Sequence, residues 1–229
     1  MADRHTDHIV HAYDRELRRL DTLIAEMGGH CEAQLTSAIR ALEKRDAPLA
    51  EETIGKDIVI DALEHEIESL VVRLLALRAP VADDLRHVLA ALKISSALER
   101  VGDYAKNIAK RSLELNKAPP VAAMPSVLKL ARQVQAELND CLDAVASFDP
   151  ERAIEVWKSD AEIDDLHAAS MKEIFACMTA DSSLIGPCSS LLFVAKNLER
   201  VGDLATNMAE MVQFYATGQR IAEPRPKGG

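Results

Sequence analysis

The chain repeats itself. Leu98 to Ala109 reads LERVGDYAKNIA and Leu198 to Ala209 reads LERVGDLATNMA, nine matches in twelve positions at an offset of 100. Upstream the offset becomes 103: Asp46 pairs with Asp149, Asp57 with Asp160, Ile60 with Ile163, Asp61 with Asp164 and Leu63 with Leu166. The three-residue difference in length falls between these two blocks. Two copies in register, with a punctuated stretch between them, require two like folding units in tandem.

Apolar residues recur at helical spacing over His8–Leu42, Leu49–Leu77 and Leu85–Leu115, and again over Val127–Phe148, Pro150–Met178 and Leu184–Phe214. The breaks carry stop and start signals. Asp46 and Pro48 suit an N-cap and a first turn, Pro80 stops the second helix, and Pro119-Pro120 separates the copies. Aromatic residues make up 3% of a chain that is 48% hydrophobic, which favours long helices over sheet. The fold class expected is all-α: two tandem three-helix bundles of antiparallel helices, residues 1–118 and 119–218, followed by a flexible tail at 219–229.

A formal charge of -10 repels nucleic-acid phosphates and anionic lipid surfaces, so no nucleic acid is expected as a partner. Cys31, Cys141, Cys177 and Cys188 show no CxxC spacing, and no signal peptide or membrane-spanning run is visible. A reducing cytoplasm fits this pattern, with the cysteines as small core residues and membrane association only through a partner.

Inside the repeat, carboxylates stand four apart: Asp57 with Asp61 and Glu99 with Asp103, then Asp160 with Asp164 and Glu199 with Asp203. Each pair shares a helix face and repels by about 0.2–0.5 kcal/mol, so a cation between them is stabilising. Composition alone supplies about six such pairs on solvated helices. It does not supply two different pairs, on the second and third helices, that recur in register. The eight carboxylates are therefore the candidate metal ligands, and an all-oxygen set suits Mg, Mn or iron, as a divalent or ferric ion. Glu64 and His167 lie one turn after Asp61 and Asp164 and are candidate auxiliary ligands. His5, His8 and His11 read as surface chance and are left out.

Leu85, Leu89 and Leu92 are expected to form an apolar seam that turns acidic at Glu99 and Asp103. Gly102 and Gly202 sit mid-helix, where glycine costs about 1 kcal/mol against alanine, and a close helix approach would explain both. Asn107 and Asn207 extend the acidic stripe as interhelical hydrogen-bonding groups, and Arg100 and Arg200 are expected to clamp carboxylates of a neighbouring helix.

The doubled Glu-Arg-Val-Gly-Asp block, the two DxxxD segments and the tandem three-helix plan together resemble the PhoU family, from about Tyr13 to Tyr215. The resemblance implies multinuclear metal clusters on those eight carboxylates and a dimeric cytoplasmic protein. It implies contact with the ATPase subunit of the phosphate ABC transporter and with the phosphate-sensing histidine kinase, which is held silent when phosphate is plentiful. Two rivals come from other classes. A di-metal carboxylate enzyme needs Glu-x-x-His pairs, and no histidine has Glu three residues before it. A helical phosphotransfer module would use His65 or His87, neither in a histidine-kinase context. No catalytic constellation stands out, and an enzyme is not expected.

Overall fold

In the computed structural model, residues 2–222, 225 and 228 are described, with side chains from residue 13 onward, so the side chains of His5, His8 and His11 lie outside the described residues. Among the described residues seven α-helices follow one another: α1 (Ala2–Lys44), α2 (Ala47–Gly55), α3 (Asp57–Arg78), α4 (Ala82–Leu115), α5 (Met124–Ser147), α6 (Pro150–Ala180) and α7 (Ile185–Thr217). A 3-10 turn, Ser182–Leu184, precedes α7, and no strand occurs among the described residues.

The start of α2 follows the predicted cap at Asp46, and its repeat partner Asp149 does the same for α6. Asp46 accepts from the Leu49 amide at 3.0 Å, and Asp149 accepts from the Glu151 and Arg152 amides at 2.9 and 3.2 Å. The helix ends before them match as well. Arg45 and Phe148, 103 apart, both take the left-handed conformation, at φ 55° and 50°, which costs a non-glycine residue about 1–2 kcal/mol. Each is held by what its side chain reaches. Arg45 donates to the carbonyls of Leu115, Asn116 and Ala118, and Phe148 packs on Tyr215 and His87 at 4.6 and 5.1 Å between ring centroids.

One expected helix is two. The stretch expected as Leu49–Leu77 breaks at Lys56, whose amide closes on the Glu52 carbonyl before α3 begins. The matching position to Gly55 in the second copy is Lys158, and α6 runs through unbroken. Glycine's low helix propensity explains the difference.

Helices α4 and α7 lie against each other at the centre; α1, α2 and α3 surround α4, α5 and α6 surround α7, and α1 also meets α5. Both units therefore feed one apolar core, with Leu23, Met27 and Leu35 of α1, Ile60 and Ile67 of α3, Leu98 and Ile108 of α4, Leu138 of α5 and Leu198 of α7 fully enclosed. Cys31 and Cys141 belong to that core, their thiols donating to the Leu98 and Ala205 carbonyls at 3.1 Å. Burial pushes both thiols far up in pKa, so neither is a ready nucleophile.

The expected Leu85–Leu89–Leu92 seam is displaced around the helix. Val88, Ile94, Leu98, Val101 and Ala105 form the buried stripe of α4, whereas Leu85 and Leu92 flank it half-buried and Leu89 is exposed. The acidic residues thus stand at the edge of the buried stripe, where a carboxylate keeps part of its hydration.

Gly102 and Gly202 face the core directly. A Cβ on Gly102 would stand 2.9 Å from Ile60 Cδ1, and one on Gly202 the same distance from Ile163 Cδ1. Gly29, by contrast, has open space around it. Gly29→Ala is expected to raise stability by up to about 1 kcal/mol through helix propensity, while Gly102→Ala loses that gain to overpacking of about 1–3 kcal/mol. Urea unfolding of the two variants should show shifts of opposite sign; equal gains would mean that α3 and α4 are not held close at Gly102.

Candidate functional site

Each unit carries a carboxylate seam where its DxxxD helix meets its ExxxD helix. In the first unit Asp57 opens α3 and is buried to 6% exposure, while Asp61, Glu64, Glu99 and Asp103 line the seam half-buried. The Glu99 carboxyl is pushed up in pKa by burial, then by the charges of Asp103, Glu64, Asp61 and Asp57, so all five share one electrostatic environment. Glu64 is pushed up by burial and by Glu68.

That charge has an internal counter-ion. Lys106, on α4, donates to Asp57 and reaches Asp103 at 3.4 Å, and the hydrogen bond to Asp57 holds its ammonium above the ordinary lysine range. Gln34 of α1 closes the inner end, its amide 3.3 Å from the Thr53 carbonyl and 3.5 Å from Asp57.

The second seam has the same backbone frame and a different solution. Asp160 is 3% exposed, and Asp164, His167, Glu199 and Asp203 are half-buried around it. The position of Lys106 is here Thr206, which is neutral and donates to Asp160 at 3.2 Å. The cation comes instead from beyond α7. Arg225 grips Asp160 with Nε at 2.8 Å and Nη2 at 2.5 Å, donates to Thr206 Oγ1 at 3.0 Å, and meets Asp203 with Nη1 at 2.9 Å. The Gly228 amide donates to Asp164 at 3.3 Å. Burial works against the Arg225 charge, and the Asp160 hydrogen bond and the Asp160 and Asp203 charges outweigh it.

The eight predicted carboxylates are therefore gathered as two sets of four, with Glu64 and His167 beside them. His167 is held below its ordinary pKa, by burial first and against the pull of Glu199, so it is a neutral imidazole able to ligate. In the present arrangement no three His, Cys, Asp or Glu side chains among the described residues converge on one point. The donor set, oxygen-rich and part-solvated, suits a hard cation, provided that Lys106 and Arg225 give way.

Several participants escaped the sequence reading. Lys106 and Thr206 are one of the three mismatches inside the twelve-residue repeat, a signal that was available. Gln34 and Glu137 are also a repeat pair at offset 103. Glu137 is 2% exposed, takes a hydrogen bond from Ser159 at 2.8 Å, and has its other oxygen without a partner among the described residues. Arg225 lies outside both copies, so periodicity has no purchase on it. Arg100 and Arg200 clamp no carboxylate among the described residues: Arg100 donates to the Tyr104 hydroxyl at 3.2 Å and Arg200 stands over the Tyr104 ring at 5.6 Å. His87 is buried against Asp21 at 2.6 Å rather than presented for phosphotransfer, and the exposed His65 bonds the Asp61 carbonyl at 2.7 Å.

The comparisons with known proteins follow the same outline. The family model described as PhoU domain matches residues 24–112 and 127–212, one match in each unit. A phosphate-specific transport system accessory protein PhoU homolog from Caulobacter vibrioides is 47% identical over 223 residues, covering 97% of each chain. Its counterpart from Zymomonas mobilis is 46% identical over 94% of this chain and 91% of its own. The crystal structure of PhoU from Pseudomonas aeruginosa superposes with a TM-score of 0.88 at 32% identity, covering 90% of this chain and 100% of that one. The phosphate transport system regulatory protein PhoU from Streptococcus pneumoniae gives 0.84 at 30% identity, covering 92% and 100%.

Burial raises the Glu137 pKa from 4.5 to about 8. The folded state thus favours the protonated acid, so this contribution to stability is fully present below about pH 4.5 and lost as pH rises through about 8. Glu137→Gln, the side chain that Gln34 supplies in the first unit, should therefore stabilise the protein by about 1–3 kcal/mol above pH 8 and by much less at pH 5. Chemical denaturation at the two pH values checks this; an equal effect at both would mean that Glu137 is ionised throughout.

Proposed function

The chain belongs to the PhoU family, and from that premise we propose that it is a metal-binding regulator of phosphate uptake and of the phosphate-starvation response. It works in the cytoplasm as a homodimer, contacting the ATPase subunit of the phosphate ABC transporter and the phosphate-sensing histidine kinase, and meets the membrane only through them. When phosphate is plentiful it restrains the transporter and keeps the kinase repressing. The observation that carries this reading is likeness over nearly the whole chain to proteins named as accessory or regulatory components of phosphate transport. No described helix is long and apolar enough to cross a membrane, which agrees with a partner-mediated role.

Hard cations would be held by Asp57, Asp61, Glu99 and Asp103 in the first unit and by Asp160, Asp164, Glu199 and Asp203 in the second. A bound cation supplies positive charge that cross-links two helices, not a reaction step. The chain's own residues set the terms of binding. Lys106 and Arg225 already neutralise the innermost carboxylates, so occupancy requires each to leave, and the first seam keeps its cation on a helix while the second holds its cation on the C-terminal segment.

With Mn²⁺ as the probe, added metal should raise the melting temperature, and joint replacement of Asp57 and Asp61 by Asn should remove one seam's share and leave the other's. Arg225→Ala should tighten Mn²⁺ at the second seam alone, by about tenfold, equivalent to about 1.4 kcal/mol. Calorimetric titration decides: two unchanged affinities would mean that Arg225 does not compete, and no binding in any variant would remove the metal from the proposal.

In cells, loss of the protein should leave the phosphate-starvation genes on and uptake unrestrained in phosphate-replete medium. Transcript levels and phosphate uptake measure this directly. Normal repression in the deletion strain would end the regulatory reading, whatever metal the purified chain holds.

A further inference from the structure

The groove between α4 and α7 gathers cations that pair with no carboxylate among the described residues. The two helices cross it antiparallel, with Lys93 and Ala97 opposite Leu204 and Met211 at one end and Asn107 and Leu113 opposite Asn197 and Phe193 at the other. Three adjoining hollows of 410, 580 and 650 Å³ run along it. Lys93, Arg100, Lys110, Arg111, Arg200 and Arg220 line them, and none of the six makes an ion pair among the described residues. Of the acids on the same walls, Asp203 pairs with Arg225 and Glu114 with Lys117, while Glu210 accepts from the neutral Trp157 indole and keeps its charge. Six unpaired cations in one groove, against the single unneutralised carboxylate of Glu210 and on a chain of net charge -10, concentrate a positive field where the whole-molecule charge predicts a negative one.

The two walls are not alike, although they are repeats of each other. Where α4 has Lys93 and Arg111, α7 has Phe193 and Met211. At each end of the groove a cation of α4 thus faces an apolar side chain of α7, with Arg100 and Arg200 between the two ends and Phe193 53% exposed beneath the Arg111 guanidinium at 4.5 Å. From Lys93 to Arg111 the stripe spans about 27 Å of helix, far longer than one small anion needs. A nucleic-acid strand would match the cations and waste the apolar side chains. An amphipathic helix with carboxylates along one side and aliphatic groups along the other matches both.

We infer that the α4/α7 groove is a docking site for an acidic amphipathic helix of a partner protein. Arg100 and Arg200, related by the repeat and adjacent at the middle of the groove, anchor the carboxylate side, and Phe193 and Met211 seat the apolar side. This does not depend on metal at the seams or on a role in phosphate uptake.

The test uses the full chain and a fluorescent 21-residue helical peptide with Glu along one edge and Leu along the other. Two control peptides accompany it, one with the same composition scrambled and one with Lys in place of Glu. The acidic amphipathic peptide should bind at least tenfold tighter than either control, and more weakly as salt rises. The double variant Arg100→Glu, Arg200→Glu, checked for helicity, should weaken binding at least tenfold, and Phe193→Asn should weaken it several-fold. Equal binding of the scrambled peptide, or binding unchanged in the arginine variant, would overturn the assignment. So would tighter binding of a single-stranded 20-mer DNA, or a dimer by sedimentation that the arginine variant dissociates, since the groove would then belong to nucleic acid or to a second copy.

Discussion

Both carboxylate seams depend on how near two pairs of helices come. Gly102 lets α4 close onto Ile60 of α3, and Gly202 lets α7 close onto Ile163 of α6. With any larger residue there the helices separate or the isoleucines shift. The innermost aspartates, Asp57 and Asp160, stand one turn before those isoleucines and are drawn into a nearly dry position. A carboxylate so placed needs a partner, because an unpaired buried charge costs several kcal/mol. The cations that meet Asp57 and Asp160 are therefore a consequence of the helix packing.

The two copies answer that requirement differently. The first keeps a lysine on its own helix; the second has a threonine at that position and takes a guanidinium from the segment after α7. The inner wall differs too, with neutral Gln34 in one seam and a mostly protonated Glu137 in the other near neutral pH. One frame thus holds two charge environments, one closed by a lysine within the bundle and one closed by Arg225 beyond α7. Along the groove between α4 and α7 the repeat has diverged again, with Lys93 and Arg111 of α4 facing Met211 and Phe193 of α7.

Much of this was legible in the sequence because a repeat reports register twice. The offsets of 100 and 103 paired the eight carboxylates, the Asp46 and Asp149 caps and the two glycines before any coordinates. The phase of the α4 stripe was misread at Leu85, Leu89 and Leu92, since leucines are as common at the edge of a core as within it. The break at Lys56 was missed because the apolar period continues across it. What Arg100 and Arg200 face, and that Arg225 returns to Asp160, are tertiary facts with no periodic signature. The divergence of Lys106 from Thr206 was visible and was a sign that the two seams would not be equivalent.

The most direct measurement is anomalous diffraction from crystals of the full chain grown with Mn²⁺. A peak should appear at each seam, among Asp57, Asp61, Glu99 and Asp103 and among Asp160, Asp164, Glu199 and Asp203, with Lys106 and Arg225 turned away from Asp57 and Asp160. Crystals in which Lys106 and Arg225 keep their aspartates, and no anomalous peak lies at either seam, would contradict the assignment of these carboxylates to metal and leave them as internally neutralised structural pairs.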